Sequence, residues 1–175
     1  MLGKKFSKRN SNRIQQATFC FLVRKNHVLL AMKKRGFGVG LWNGVGGKVA
    51  EGETVKSAAH REASEEIGIK IVQAKKAALL HFYFPEDPKK KDWNQDVHVF
   101  LVTKWMGEPQ ETEEMRPQWF GVSKIPFEAM WSDDPHWLPK VLAGKRIIGW
   151  FSFNDDNKVL DYKVKNVGKG AKISS

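Results

Sequence analysis

Apolar and polar positions change period several times along the chain. Residues 17–24 and 28–33 form two short apolar runs around a polar turn at Asn26, the pattern of a β-hairpin. The stretch 35–52 then holds Gly36, Gly38, Gly40, Gly44, Gly46, Gly47 and Gly52, which predicts a shaped loop with little regular structure. Residues 54–67 contain neither Gly nor Pro, are rich in Ala and Glu, and are followed by Gly68, which predicts a helix with a C-terminal stop. Strand-like runs return at 77–84, 97–104 and 119–122, with a lysine-rich loop at 85–95 between the first two. A second helix is expected over 135–143, and strands at 147–153 and 158–163 can close the sheet. Neither a repeat nor a second domain boundary interrupts this pattern, so one α/β domain is expected over 17–166.

Composition narrows the picture. The chain has 175 residues, of which 41% are hydrophobic and 11% aromatic, enough for one well-formed core. No apolar run approaches the ~20 residues of a membrane helix. A lone cysteine, Cys20, excludes an internal disulfide and suits a reducing compartment, with a cytoplasmic location expected and nuclear or mitochondrial fractions left open. The net charge of +11 invites a nucleic-acid reading, but its distribution does not favour one. Residues 1–16 carry five basic side chains and no acid, and residues 158–175 carry five lysines against Asp161 alone. The rest of the chain is close to neutral, so basic flexible tails are expected over 1–16 and 167–175, with no obligate nucleic acid and no membrane as partner.

The most informative chemistry lies in the predicted helix. Glu62, Glu65 and Glu66 fall at i, i+3 and i+4, which sets three carboxylates on one face within a turn. Such crowding is costly without a cation, although a solvated acidic network is the alternative. Arg61 lies four residues before Glu65 and can hold it, while Ala59, Ala63 and Ile67 form an adjacent stripe for the core. An all-oxygen set suits Mg²⁺, with Mn²⁺ as a substitute, and the glycine-rich loop lets backbone groups approach a phosphate. Carboxylates, a divalent metal and a phosphate cradle together point to hydrolysis of a phosphoanhydride.

Gly47, Glu53 and the run Arg61-Glu62-Ala63-x-Glu65-Glu66-x-Gly68 resemble the complete Nudix box, with Ala63 where a larger aliphatic is common. The resemblance implies the Nudix fold, an α-β-α sandwich around a mixed sheet, and Mg²⁺-dependent cleavage of a nucleoside diphosphate linked to another group. Carried onto these positions, it makes Glu62, Glu65 and Glu66 metal ligands together with the carbonyl of Gly46. Arg61 and Glu53 become braces, and Glu114 a further metal ligand or base.

The substrate must be read elsewhere. On spacing alone, Asp133 or Asp134 reads as the cap of the helix that follows and Trp131 as core, although an indole beside two carboxylates also suits a nucleobase. A wider likeness reverses that preference. Lys33-Lys-Arg-Gly-Phe-Gly, Trp42-Asn-Gly-Val-Gly-Gly-Lys48, Asp96-Val-His-Val-Phe100 and Met130-Trp-Ser-Asp-Asp134 are similar to one Nudix branch, the animal oxidised purine nucleoside triphosphate hydrolases, also known as 8-oxo-dGTPases. That branch implies hydrolysis of 8-oxo-dGTP and 2-hydroxy-dATP to the monophosphate and pyrophosphate, sanitising the nucleotide pool, by a monomer acting on a small-molecule nucleoside triphosphate. It implies that Trp131 stacks on the base, Asp133 and Asp134 bind its Watson–Crick edge, and Asn43 adds an amide contact. Thr18, Lys33, Val45, Gly46, Gly47, Lys48 and Ser132 would touch the nucleotide, with Phe37, Phe82 and Phe153 lining the pocket. Ser132 stands where the branch has proline and Gln95 where it has an apolar residue, which leaves the ranking of modified purines open, alkylated ones included. Alternative readings are a Nudix hydrolase of dinucleoside polyphosphates or capped RNA, and a non-catalytic nucleotide-binding module.

Overall fold

The computed structural model describes residues 14–85, 89–90 and 93–173. The predicted N-terminal tail therefore lies outside the described residues up to position 13. The chain begins with the expected hairpin, β1 (Gln15–Arg24) and β2 (His27–Lys33), whose turn uses a positive φ at Lys25. A two-residue strand, β3 (Trp42–Asn43), is the only strand within the glycine-rich stretch. Then come α1 (Val55–Ile67), β4 (Lys70–Tyr83), β5 (Gln95–Met106) and β6 (Met115–Gly121). A short 3₁₀ turn (Phe127–Ala129) leads to α2 (Asp134–Leu142), and β7 (Ile147–Phe153) and β8 (Val159–Asn166) complete the order.

The sheet is mixed, as expected. In the lateral order β1-β5-β4-β7-β8, the β1–β5 and β4–β7 pairs are parallel, and the β5–β4 and β7–β8 pairs antiparallel. β2 leaves β1 after two residue pairs and lies antiparallel to β6 along its whole length, with β3 on its other side. Strand β1 is buried on both faces, and its alternation separates two cores. Phe21 joins Leu80, Val99, Phe151 and the α2 residues Trp137, Leu138 and Val141, whereas Cys20 and Leu22 join Ala59, Ala63 and Ile67 of α1. Helices thus cover opposite faces of the sheet in an α-β-α sandwich.

Local chemistry explains the helix ends. The Thr54 hydroxyl accepts the Ser57 N–H at 3.1 Å, and Gly68, at φ 71°, turns its N–H back to the Ser64 carbonyl. Strand β4 starts seven residues earlier than its apolar run because bulges at Ile71–Ala74 and Lys76–Ala78 break the alternation.

The C-terminal segment departs from expectation. Residues 167–173 are held against the sheet. The Arg146 guanidinium donates to the carbonyls of Gly168 and Ala171, the Lys76 ammonium donates to the Ile173 carbonyl, and the Ile173 side chain is only 7% exposed. Backbone carbonyls, invisible to charge counting, supply the acceptors that make this basic stretch part of the folded body.

Candidate active site

The glycine loop lies against β1 because two of its residues have no side chain. Thr18 N–H donates to the Gly47 carbonyl at 2.9 Å, and Val45 and Cys20 exchange backbone hydrogen bonds. A Cβ at Gly46 would sit 1.8 Å from the Thr18 carbonyl oxygen, and one at Gly47 would sit 2.6 Å from Glu62 Oε1. The loop and α1 can therefore approach only through glycine. Glu66, buried at the inner face of the helix, accepts the Gly46 N–H through Oε2 at 3.0 Å.

Arg61 organises the remaining acids. Its Nε and one terminal nitrogen donate to the two oxygens of Glu53 at 2.8 and 3.0 Å. Its other terminal nitrogen donates to Glu62 at 2.8 Å and to Glu65 at 3.2 Å. A further bond reaches the Lys48 carbonyl, and Glu53 accepts the Ala50 N–H, so one guanidinium ties helix to loop at both ends. The Arg61 hydrogen bonds hold the Glu53 carboxyl down at about 2. Glu66 behaves in the opposite sense. Burial, with a smaller push from the neighbouring Glu62 charge, lifts it to about 8 despite the Gly46 N–H.

The donors fit a divalent cation in part. Glu62 and Glu66 bring carboxylates to the glycine loop, the oxygen-only set suits a hard ion, and buried Glu66 has more negative charge nearby than its surroundings offset. Among the described residues, however, no three acids, histidines or cysteines converge into a ready cage. Glu65 is turned outward with its side chain 59% exposed, and Glu114 accepts from Arg35 at 2.9 Å. The gathering of Glu62, Glu65, Glu66 and Glu114 expected from the sequence is therefore incomplete, because Arg61 engages Glu62 and Glu65 and Arg35 engages Glu114, leaving Glu66 alone of the four without an arginine.

Next to the loop, on the α2 side of the sheet, opens a cavity of about 270 Å³. Lys33, Phe37, Asn43, Gly46, Gly47, Lys48, Phe82, Trp131, Asp133, Asp134 and Phe153 all line it. Three expected residues do not. Thr18 is buried on the opposite face of β1, one position out of phase with the lining residues Ala17 and Phe19. Val45 packs in the α1 core, and the Ser132 hydroxyl turns away to accept the Val159 N–H at 2.9 Å. The lining also includes residues the sequence reading did not assign as contacts, notably Leu41, Phe84, Met115 and Trp93, and it includes Gln95, which the sequence marked only as a departure from an apolar residue of the branch. Alternation along β1 would have found Ala17 and Phe19. Nothing in the local pattern marks Trp93, which reaches the cavity from a loop.

The two acids are not ordinary helix caps. Asp133 stands at the N-cap position but makes no side-chain cap bond, accepting instead the Trp137 indole N–H at 2.9 Å. Asp134 is 1% exposed, and its Oδ2 has no partner among the described residues. Burial pushes both carboxyls up from the ordinary range, and Asp133 raises Asp134 further, so the pair favours holding a proton. Around them stands an aromatic wall. Phe37, 44% exposed, lies between Trp93 at 4.4 Å and Trp131 at 5.1 Å, and Phe84 stacks on Phe153 at 4.7 Å.

The NUDIX domain matches residues 13–141, most of the chain, and so takes in the glycine loop, the carboxylate helix and the acid pair. The chain is a Nudix hydrolase. This Nudix hydrolase is 44% identical over 150 residues to the oxidized purine nucleoside triphosphate hydrolase of zebrafish (Danio rerio), covering 86% of this chain and 94% of that protein. It is 43% identical, with the same coverage, to the mouse (Mus musculus) protein of that name. Among solved structures, the MutT protein from Bacillus halodurans superposes with a TM-score of 0.73 at 27% identity, covering 86% of this chain and 97% of that one. Nudix hydrolases generally need a divalent cation, in keeping with the oxygen donors on α1. No helix among the described residues of this Nudix hydrolase is long and apolar enough to cross a membrane.

Proposed function

We propose that this Nudix hydrolase cleaves oxidised purine nucleoside triphosphates to the monophosphate and pyrophosphate. The observation that carries this reading is the Asp133–Asp134 pair, two buried acids with one unpartnered oxygen, facing the same cavity as Trp131 and the glycine loop. A purine stacked on Trp131 offers its Watson–Crick edge to a pair that can both donate and accept once it holds one proton. Asn43 keeps its amide N–H groups for the ligand, because its Oδ1 is engaged by the Gly44 N–H at 2.7 Å. The phosphates then extend towards Gly46, Gly47, Lys33 and Lys48, where backbone and ammonium groups offset their charge. The relatives' name, shared at 43–44% identity over most of the chain, supports the same substrate class.

Glu62 and Glu66, with the Gly46 carbonyl, would hold the cation, and Glu65 and Glu114 would join them by leaving their arginines. Mg²⁺ is the preferred ion and Mn²⁺ a substitute; bound there, it offsets charge on the phosphates and makes a water more acidic. Arg61 holds Glu53, Glu62 and the Lys48 carbonyl in one frame, so the phosphate loop and the carboxylates keep their spacing. The protein is proposed to act as a cytoplasmic monomer on free nucleotides.

Pyrophosphate release from a nucleotide panel, with and without Mg²⁺, tests the reading. The expected result is Mg²⁺-dependent turnover with kcat/KM for 8-oxo-dGTP well above that for dGTP; equal values sink it. Glu66→Gln removes the ionisable carboxyl a cation would need at nearly constant shape and is expected to lower kcat by about 10²-fold or more with the fold intact. Near-normal turnover by that variant would refute the assignment of Glu66 to the cation.

A further inference from the structure

The acid pair faces one edge of a purine, and that edge is the same in 8-oxoguanine and guanine. Oxidation at C8 alters the opposite edge. There it replaces a bare N7 acceptor and a C–H with an N7–H donor beside a C8=O acceptor. A site that reads only the Watson–Crick edge therefore leaves the lesion itself unread.

Gln95 stands where that second edge can be met. It is the first residue of β5, it lines the cavity, and its partners across the sheet are Gln15 on β1 and Phe82 on β4. Directly paired residues point to the same side of a sheet, so Gln95 and Phe82 form part of the cavity floor. The acids come from the first turn of α2, which packs over that floor. The two carboxamides in the row differ. That of Gln15 donates to the carbonyls of Gln16 and Val49, whereas that of Gln95 makes no hydrogen bond among the described residues. Half-buried at the cavity wall, this amide keeps both its donor and its acceptor available to a ligand.

We propose that Gln95 is a specificity-determining residue, pairing its carboxamide with the N7–H and C8=O edge of an 8-oxopurine. The chemistry is complementary at both atoms: the Gln95 Oε1 accepts from N7–H while its Nε2 donates to the C8 oxygen. An undamaged purine offers an acceptor and a C–H at the same positions. The carboxamide must then turn over to donate to N7, its oxygen faces C8–H, and one of the two bonds is lost. Sites built to hydrogen-bond a substrate discriminate against analogues that leave their polar groups unpaired. This assignment rests on the proposed hydrolysis of oxidised purine nucleotides.

The test compares two ratios of kcat/KM in the whole chain, 8-oxo-dGTP over dGTP and 2-hydroxy-dATP over dATP. The second pair differs at C2 and keeps an ordinary N7–C8 edge. Gln95→Leu, similar in volume but without the amide, is expected to lower the first ratio about tenfold to a hundredfold and leave the second unchanged. Gln95→Glu keeps an acceptor for N7–H but loses the donor to O8, and is expected to fall between wild type and Gln95→Leu. If wild type prefers 8-oxo-dGTP and Gln95→Leu keeps that preference, the assignment of Gln95 is wrong while the hydrolase reading stands. If both ratios drop together, the amide has no edge-specific role and the assignment is again overturned. If wild type shows no preference for 8-oxo-dGTP, the functional reading itself fails and the assignment falls with it.

Discussion

At the scale of single residues, the site depends on which side chains already have partners. Arg61 has its donors engaged by Glu53, Glu62, Glu65 and the Lys48 carbonyl, whereas Asp134 keeps a buried oxygen with none. That difference separates bracing from reading, and it has a consequence for stability. A carboxyl whose pKa is raised on folding binds a proton more readily in the native than in the unfolded chain. Stability is then fully present below the ordinary carboxylate range and is lost as pH rises through the elevated native value. Asp134→Asn is neutral in both states. It is expected to raise the melting temperature at pH 8 and to give little gain at pH 4; an equal gain at both values would show that the charge is not the cause. Residue types and spacing made the acids, Trp131 and the Arg61 frame legible from the sequence. The direction of a side chain was less legible. Thr18 misses the cavity by one step of strand alternation, and Ser132 is captured by the Val159 N–H of a strand distant in sequence.

At the scale of elements, a loop without a Cβ at two points is what brings α1 and β1 within hydrogen-bonding reach of each other's neighbours. Gly46→Ala places a methyl 1.8 Å from the Thr18 carbonyl oxygen, and no rotamer change can relieve a clash with backbone. A cost of about 3 kcal/mol or more is expected, because β1 or the loop must shift. For a chain of this size that lowers the melting temperature by roughly 6–12 °C. A melting temperature within error of wild type would mean that the loop is not seated on β1. The helix from Thr54 to Gly68 was readable from its cap and stop residues, since those signals are local. Strand β4 was readable only in its apolar half, because the bulges between Ile71 and Ala78 scramble the two-residue period on which recognition of a strand depends.

At the scale of the whole molecule, two cores share one strand, and the segment after β8 ties the sheet to the last described residues. Charge patterning marked residues 167–175 as a tail, and nothing local contradicts that, because the acceptors involved are backbone carbonyls brought to Arg146 and Lys76 by the fold. Removal of residues 167–175 exposes the pocket of Ile173, whose burial is worth about 1.5–3 kcal/mol. A melting temperature lower by roughly 4–10 °C is expected, with kcat/KM for 8-oxo-dGTP unchanged because none of these residues lines the cavity. A truncated chain that melts like wild type would return the segment to the status of a tail.

The ring arrangement at the cavity mouth also makes the protein its own optical instrument. Of seven tryptophans, Trp93 and Trp131 border the cavity, and Phe37 lies against both. A base that slides against Trp131 alters the surroundings of that indole directly and those of Trp93 through the shared phenyl ring. Intrinsic emission thus reports occupancy of the base pocket without a label, and in the absence of added metal it does so with the nucleotide still intact.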